Sequence, residues 1–214
     1  MVGSFVLDAL FPPRCPLCER LGPRGICAAC HDELEPSDPR ILVPLPPMRE
    51  RCHLYAYRGR ARQAIIKLKF ERDRSLVDQL SKELLDQAHQ LGWLPNRLFI
   101  PVPIHVRRWA ERGFNQSEDL LSRFPRASVS LNALERVRYT DPQVGLSLAE
   151  REQNLSKAFQ AGPLVRGKSI VLVDDVYTSG ATAVEATKAL LQAGAMDVSI
   201  LTVTVAERTE LHDA

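Results

Sequence analysis

The sequence predicts an α/β protein: a parallel sheet flanked by helices, preceded by a small N-terminal zinc module held by four cysteines. Three observations carry this. Strand-like and helix-like segments alternate from about residue 65 to the C-terminus, which favours a parallel sheet. Ile170 to Val173 is a short apolar run, β-branched at three of its four positions, as a strand buried on both faces reads. Cys15, Cys18, Cys27 and Cys30 form two closely spaced C-x2-C pairs, eight residues apart.

The stretch Lys168 to Thr182, KSIVLVDDVYTSGAT, is the most informative. Asp174 and Asp175 follow the strand at once. Thr178, Ser179, Gly180, Ala181 and Thr182 then open a helix that runs to about Gln192, with Gly194 placed to end it. The free N–H groups and dipole of a helix start favour a phosphate, and the Thr and Ser hydroxyls add donors. The acid pair repels phosphate and suits sugar hydroxyls or a metal ion that the ligand shares. Phosphate at one end and vicinal hydroxyls at the other describe a ribose 5-phosphate. Helix capping accounts for one of these residues, not for the ordered set.

The 214 residues accommodate one domain and a small module. A hydrophobic content of 45% suffices for a packed core. The net charge of +2 by itself selects no nucleic-acid partner, because distribution matters more than the sum. No uncharged stretch reaches the roughly 18 residues of a membrane span. The N-terminal MVGSFVLDALFPPRC lacks a basic start and a small-residue cleavage site, so a cytoplasmic location is expected. Cysteines there stay reduced and available to a metal.

Four thiolates in this spacing suit tetrahedral zinc in a closed, structural site. A redox C-x-x-C would open a helix of a thioredoxin-like unit, and no such unit is visible. His31 follows Cys30 directly, but four cysteines already complete the shell. Cys52 lies outside the pattern and reads as a buried hydrophobe. Residues 35–47 carry five prolines and read as a semi-rigid connection, with a domain boundary near residue 45. The expected division is 1–45 for the module and linker, and 46–214 for the sheet domain.

Between Arg58 and Arg74 stand seven Lys or Arg and two acids. Ile65, Ile66, Leu68 and Phe70 suggest a helix there. Its basic side is either a surface that seeks phosphate or a solvated helix face. Ser75 to Leu91 has helical spacing, with Leu76, Leu80, Leu84 and Ala88 on one side, and Gly92 ends it. Leu98 to Ile100 reads as a strand stopped by Pro101 and Pro103. A helix begins near Asn115 or Ser117. Ser128 to Leu134 alternates as a strand does. Thr140 to Ser147 reads as a mobile loop, Leu148 to Phe159 as a helix, and Asp197 to Ala206 as the last strand.

VLVDDVYTSGAT closely resembles the phosphoribosyl-pyrophosphate (PRPP) loop of type I phosphoribosyltransferases. The departures are Tyr177, where a small aliphatic or threonine is common, and Ser179, where threonine is common. The ordered set CPLC, CAAC, YRG, IKLKF, IPVPI, RGFNQ, DPQVGLSLAEREQN and the PRPP loop resembles the ComF family over nearly the whole chain. The resemblance implies a zinc-finger module fused to a phosphoribosyltransferase-like domain. It implies that Asp174 and Asp175 hold the ribose hydroxyls and that Thr178 to Thr182 wrap the 5-phosphate. It also implies Mg²⁺ accompanying PRPP or a nucleotide, and a loop near Thr140 to Asn154 that closes over the site. Members are linked to natural transformation, handling single-stranded DNA, so DNA and DNA-processing proteins are expected partners. If transfer chemistry occurs, Arg107, Arg108, Arg112 or Arg151 would neutralise the leaving pyrophosphate. No base-recognition element stands out in the sequence, so a ligand is better specified than a reaction.

Overall fold

The protein is described from a computed structural model covering residues 12–22, 24–37, 46–138 and 158–206. The expected boundary near residue 45, the loop at 140–147 and Arg151 lie outside the described residues. The first helix, α1, is Ala28–Asp32. Strand β1 (Arg51–Ala56) leads to α2 (Gly59–Phe70) and α3 (Arg74–Gln90), then to β2 (Leu98–Pro101). Short helices α4 (Val106–Arg112) and α5 (Gln116–Asp119) precede a small antiparallel pair, β3 (Leu134–Arg136) with β4 (Phe159–Ala161). Then come β5 (Ser169–Tyr177), α6 (Ala181–Gln192) and β6 (Asp197–Val205).

The main sheet has the order β1-β6-β5-β2 and is parallel throughout. Alternation along β5 explains the layering. Val171 and Val173 join a buried cluster with Ile65 and Leu68 of α2 and Leu76, Leu80 and Leu84 of α3. Ile170 and Leu172 join a second cluster with Ala183, Ala186 and Leu190 of α6. Successive strand residues face opposite sides, so a strand between two helical layers must be apolar at every position. All four residues from Ile170 to Val173 are fully buried.

Helix α3 starts where its cap dictates. The Asp73 carboxylate accepts from the N–H groups of Ser75 at 2.8 Å and Leu76 at 3.1 Å. The four-cysteine module packs on this layer, with Cys15, Leu17, Ile26, Cys30 and Leu34 in the same cluster as α2 and α3. Gln79 of α3 accepts a hydrogen bond from the Ile26 N–H at 2.6 Å.

Two expectations need correction. Ser128 to Leu134 is not a strand. Arg126–Ser128 is one 3₁₀ turn, Val129 makes a single parallel bridge to Phe99, and only Leu134 enters β3. Ala133 and Leu134 are both buried although adjacent, which breaks the alternation. The helix expected over Leu148 to Phe159 ends differently: Phe159 is a strand residue paired with Arg136, and residues 148–157 lie outside the described ones.

The bridge at Val129 also locates the site. From β2 the chain runs to the sheet edge away from β5, then returns to form β5 on the other side of β2. The connections therefore reverse between β2 and β5. Ligands of open α/β sheets bind beyond the carboxyl ends of strands at such a reversal.

Candidate functional site: an acid pair, a glycine turn and a four-cysteine cluster

Asp174 and Asp175 lie at that crevice, inside β5 rather than after it. The ladder to β6 continues through Asp174 opposite Thr202 to Tyr177 opposite Val205. Asp174 Oδ1 accepts from the Ser117 hydroxyl at 2.9 Å and from the Asp175 N–H at 2.9 Å. Asp175 Oδ2 faces Lys69 Nζ of α2 at 3.2 Å. Burial first, then the charge of Asp175, push the Asp174 carboxyl up to about 7. At neutral pH Asp174 is thus partly protonated and can donate as well as accept, which suits hydroxyl partners. Lys69 is held above its ordinary value: burial works against its charge, but Asp175 and Asp174 outweigh it.

The turn after β5 is built around Gly180. Its φ is +79°, in the left-handed region, and α6 begins at the next residue. No side chain caps α6, and Ser179 Oγ lies 3.5 Å from the Ala181 N–H. Beneath the turn lies Tyr177, buried, whose hydroxyl accepts from Arg51 Nη1 at 3.0 Å. Its ring sits 5.0 Å from His53, which burial and the Arg51 charge lower to about 3. A Cβ at position 180 would collide with the Tyr177 hydroxyl. Gly180→Ala is therefore expected to abolish phosphate-ester binding, read by calorimetry. Undiminished affinity would show that the turn does not set the anion site.

The cysteines converge. The four Sγ atoms lie within 4.8 Å of one another, and Cys18 and Cys27 are 3.7 Å apart. Zn–S bonds of about 2.3 Å at tetrahedral angles give a similar spacing, so the site fits zinc. Cys15 Sγ also accepts from the N–H groups of Leu17 and Cys27, each at 3.4 Å. His31 turns elsewhere, toward Glu83 at 3.3 Å. Cys52 is half-buried against the core, and burial pushes its thiol up to about 11.

Residues 6–41 match the family model of the double zinc ribbon domain, and residues 109–213 match that of the phosphoribosyl transferase domain. The DNA utilization protein YhgH of Shigella flexneri is 33% identical, over 88% of this chain and 95% of the relative. The competence protein F of Haemophilus influenzae is 37% identical, over 60% of this chain and 58% of the relative. The chain belongs to the ComF family. A further relative, the competence protein ComFC of Bacillus subtilis, is 26% identical over 84% of this chain and 72% of the relative.

In this ComF chain the cations divide into two groups. Of the seven between Arg58 and Arg74, five face carboxylates: Arg58–Glu35, Arg60–Glu33, Lys67–Glu71, Lys69–Asp175 and Arg72–Asp119. Those charges are spent within the protein, which weakens that stretch as a phosphate-seeking surface. The second group gathers beyond β2. His105 caps α4, its Nδ1 accepting from the Arg107 N–H at 3.2 Å. Burial, then Arg136, Arg107 and Arg108, lower the His105 imidazole. Arg136 is lowered to about 10 by burial and Arg108, against the opposing pull of Asp174.

Of the arginines expected to meet pyrophosphate, Arg107 belongs to this second group. Arg112 is engaged elsewhere, with Gln116 Oε1 at 3.2 Å and stacked on Phe70 at 5.6 Å. Lys69, Ser117 and Arg136 are the site residues that sequence reasoning missed. Lys69 was visible in the IKLKF run, but no spacing rule could aim it at Asp175. Among the described residues no helix is long and apolar enough to cross a membrane.

Proposed function

We propose that this chain binds PRPP or a nucleoside phosphate through Asp174, Asp175 and the Thr178–Thr182 turn. We infer that it acts in the cytoplasm in handling single-stranded DNA during natural transformation. The observation that carries the ligand is the acid pair at the sheet reversal, followed directly by the left-handed Gly180 and the start of α6. The carboxylates receive the ribose hydroxyls, and the backbone N–H groups at the start of α6 receive the 5-phosphate. Asp174 and Asp175 are oxygen donors that fit Mg²⁺, which supplies charge neutralisation for the ligand's phosphates. Lys69 already balances Asp175, so this pair suits a metal shared with the ligand. The role with DNA is supported by the names of the competence and DNA-utilization relatives.

A second reading is an active phosphoribosyltransferase that moves ribose 5-phosphate from PRPP to an acceptor. The cations beyond β2, Arg107 and Arg108 near His105, support it, because a leaving pyrophosphate needs positive charge. Calorimetry with PRPP, with and without Mg²⁺, tests the common core: binding is expected, and Asp175→Asn should weaken it about tenfold or more. No heat with PRPP or any nucleotide would refute the site. Pyrophosphate release on addition of candidate acceptors would select the second reading. Binding of single-stranded DNA should fall steeply between 50 and 200 mM salt.

A further inference from the structure

The turn that carries Gly180 is not held by its own sequence. Gly180 takes a positive φ at the start of α6, no side chain caps that helix, and Ser179 Oγ reaches the Ala181 N–H only at 3.5 Å. Glycine is free to take many conformations. The N–H groups of the turn are therefore fixed only if something packs against it from elsewhere.

That support comes from Tyr177. Its buried phenol fills the space a Cβ at Gly180 would take, so both the hydroxyl and Cζ would collide with one. Its backbone is pinned as well, the Tyr177 carbonyl accepting from the Ala206 N–H at 2.8 Å. The His53 ring lies 5.0 Å away, its Nδ1 bonded to Thr202 Oγ1 at 2.7 Å. Thr202 gives its own proton to the Thr204 carbonyl, so His53 Nδ1 supplies the proton of the other bond. Burial and Arg51 keep His53 neutral, so the charge that reaches the phenol is that of Arg51.

Arg51 comes from far away in the sheet. It opens β1, two strands from β5, and Tyr177 is level with Ala56 at the opposite end of β1. The two side chains meet across β6. Arg51 Nη1 donates to the Tyr177 hydroxyl at 3.0 Å, and the guanidinium lies 5.3 Å from the ring centroid. A hydrogen bond from a cation in a partly buried setting is strong and directional. It fixes the phenol and places a positive charge one side chain beneath the turn. We propose that Arg51 is a positioning residue for phosphate. Through the Tyr177 hydroxyl it fixes the Gly180 turn, and its charge raises the affinity of that turn for a phosphate ester. The proposal rests on the ligand reading above.

The test titrates the full-length zinc-loaded protein with ribose 5-phosphate by calorimetry and records the melting temperature of each variant. Tyr177→Phe keeps the ring and removes the hydroxyl. Tyr177→Phe and Arg51→Met should each weaken binding about tenfold, and the double variant should lose no more than Arg51→Met alone. Arg51→Lys keeps the charge and should recover part of the affinity. Arg49→Met, which removes a charge paired with Asp197 at the start of β6, should leave binding unchanged. If the wild type binds and Tyr177→Phe and Arg51→Met bind as tightly, the role of the pair is refuted while the sugar-phosphate site stands. An equal loss in Arg49→Met would refute it too, because net charge rather than position would then set the affinity. If Arg51→Lys binds no better than Arg51→Met and both melt early, the pair is a fold contact and the proposal fails. No binding by the wild type refutes both this role and the sugar-phosphate reading.

Discussion

Cys30→Ser is expected to strip zinc from the protein and unfold its N-terminal module. Wild-type protein purified under reducing conditions should carry one zinc per chain, because five cysteines are present and only four converge. Apparent binding energies of about 10–16 kcal/mol are typical of structural zinc in small modules. That exceeds the about 2–5 kcal/mol of a large core truncation, so no single hydrophobic substitution should cost as much. The damage should spread, because Cys15 and Cys30 are buried in the cluster that holds Leu68, Leu76 and Leu80. The Ile26–Gln79 hydrogen bond would go as well. Metal analysis should give no zinc for the variant, and hydrogen exchange should accelerate along α3. Cys52→Ser is the control and should retain full zinc. A Cys30→Ser protein with stoichiometric zinc and an unchanged melting temperature would reject the site.

What could be read from sequence and what could not follow a physical division. Local patterns survived. The apolar run at Ile170 is the centre of β5, the small-residue turn opens α6, Gly194 ends that helix with φ +96°, and the paired cysteines converge. Each rests on residues close in the chain, where spacing alone fixes geometry. Strand β1 is harder to see, because Tyr55 and Ala56 are both buried at its end and blur the alternation. The basic stretch is ambiguous in sequence for a different reason. Its charges are real, but their partners Glu33, Glu35, Asp119 and Asp175 lie 23 to 106 positions away, and only folding brings them close.

The departure at Tyr177 shows the same limit. By sequence it is an oddity in a phosphate turn. In the fold its hydroxyl lies under Gly180, tied to Arg51 across 126 residues.

Lys69→Met is expected to cost about 3–5 kcal/mol at pH 8, the usual penalty for stranding one partner of a buried pair, and less at pH 5. Lys69 and Asp175 have side chains only 24% and 4% exposed, so water cannot readily replace the lost ammonium. The pH dependences of Lys69 and Asp174 have the same sign. The folded-state pKa of Lys69 lies above its ordinary value, so its contribution is complete throughout the neutral range and is lost only as the pH rises through that higher value. Asp174 is also raised, from 3.8 to about 7, so its proton favours the folded state in acid. That advantage fades as the pH climbs through 7. In the wild type Lys69 restrains the rise of Asp174. Without it, Asp174 should hold its proton more tightly, and stability should fall more steeply from pH 5 to pH 8. Urea denaturation at four pH values between these limits provides the measurement. A penalty that does not change with pH would mean that Lys69 contributes packing rather than charge. Millimolar Mg²⁺ should return part of the lost stability to the variant and little to the wild type. Asp175 loses its partner cation with Lys69, and a divalent ion can supply another.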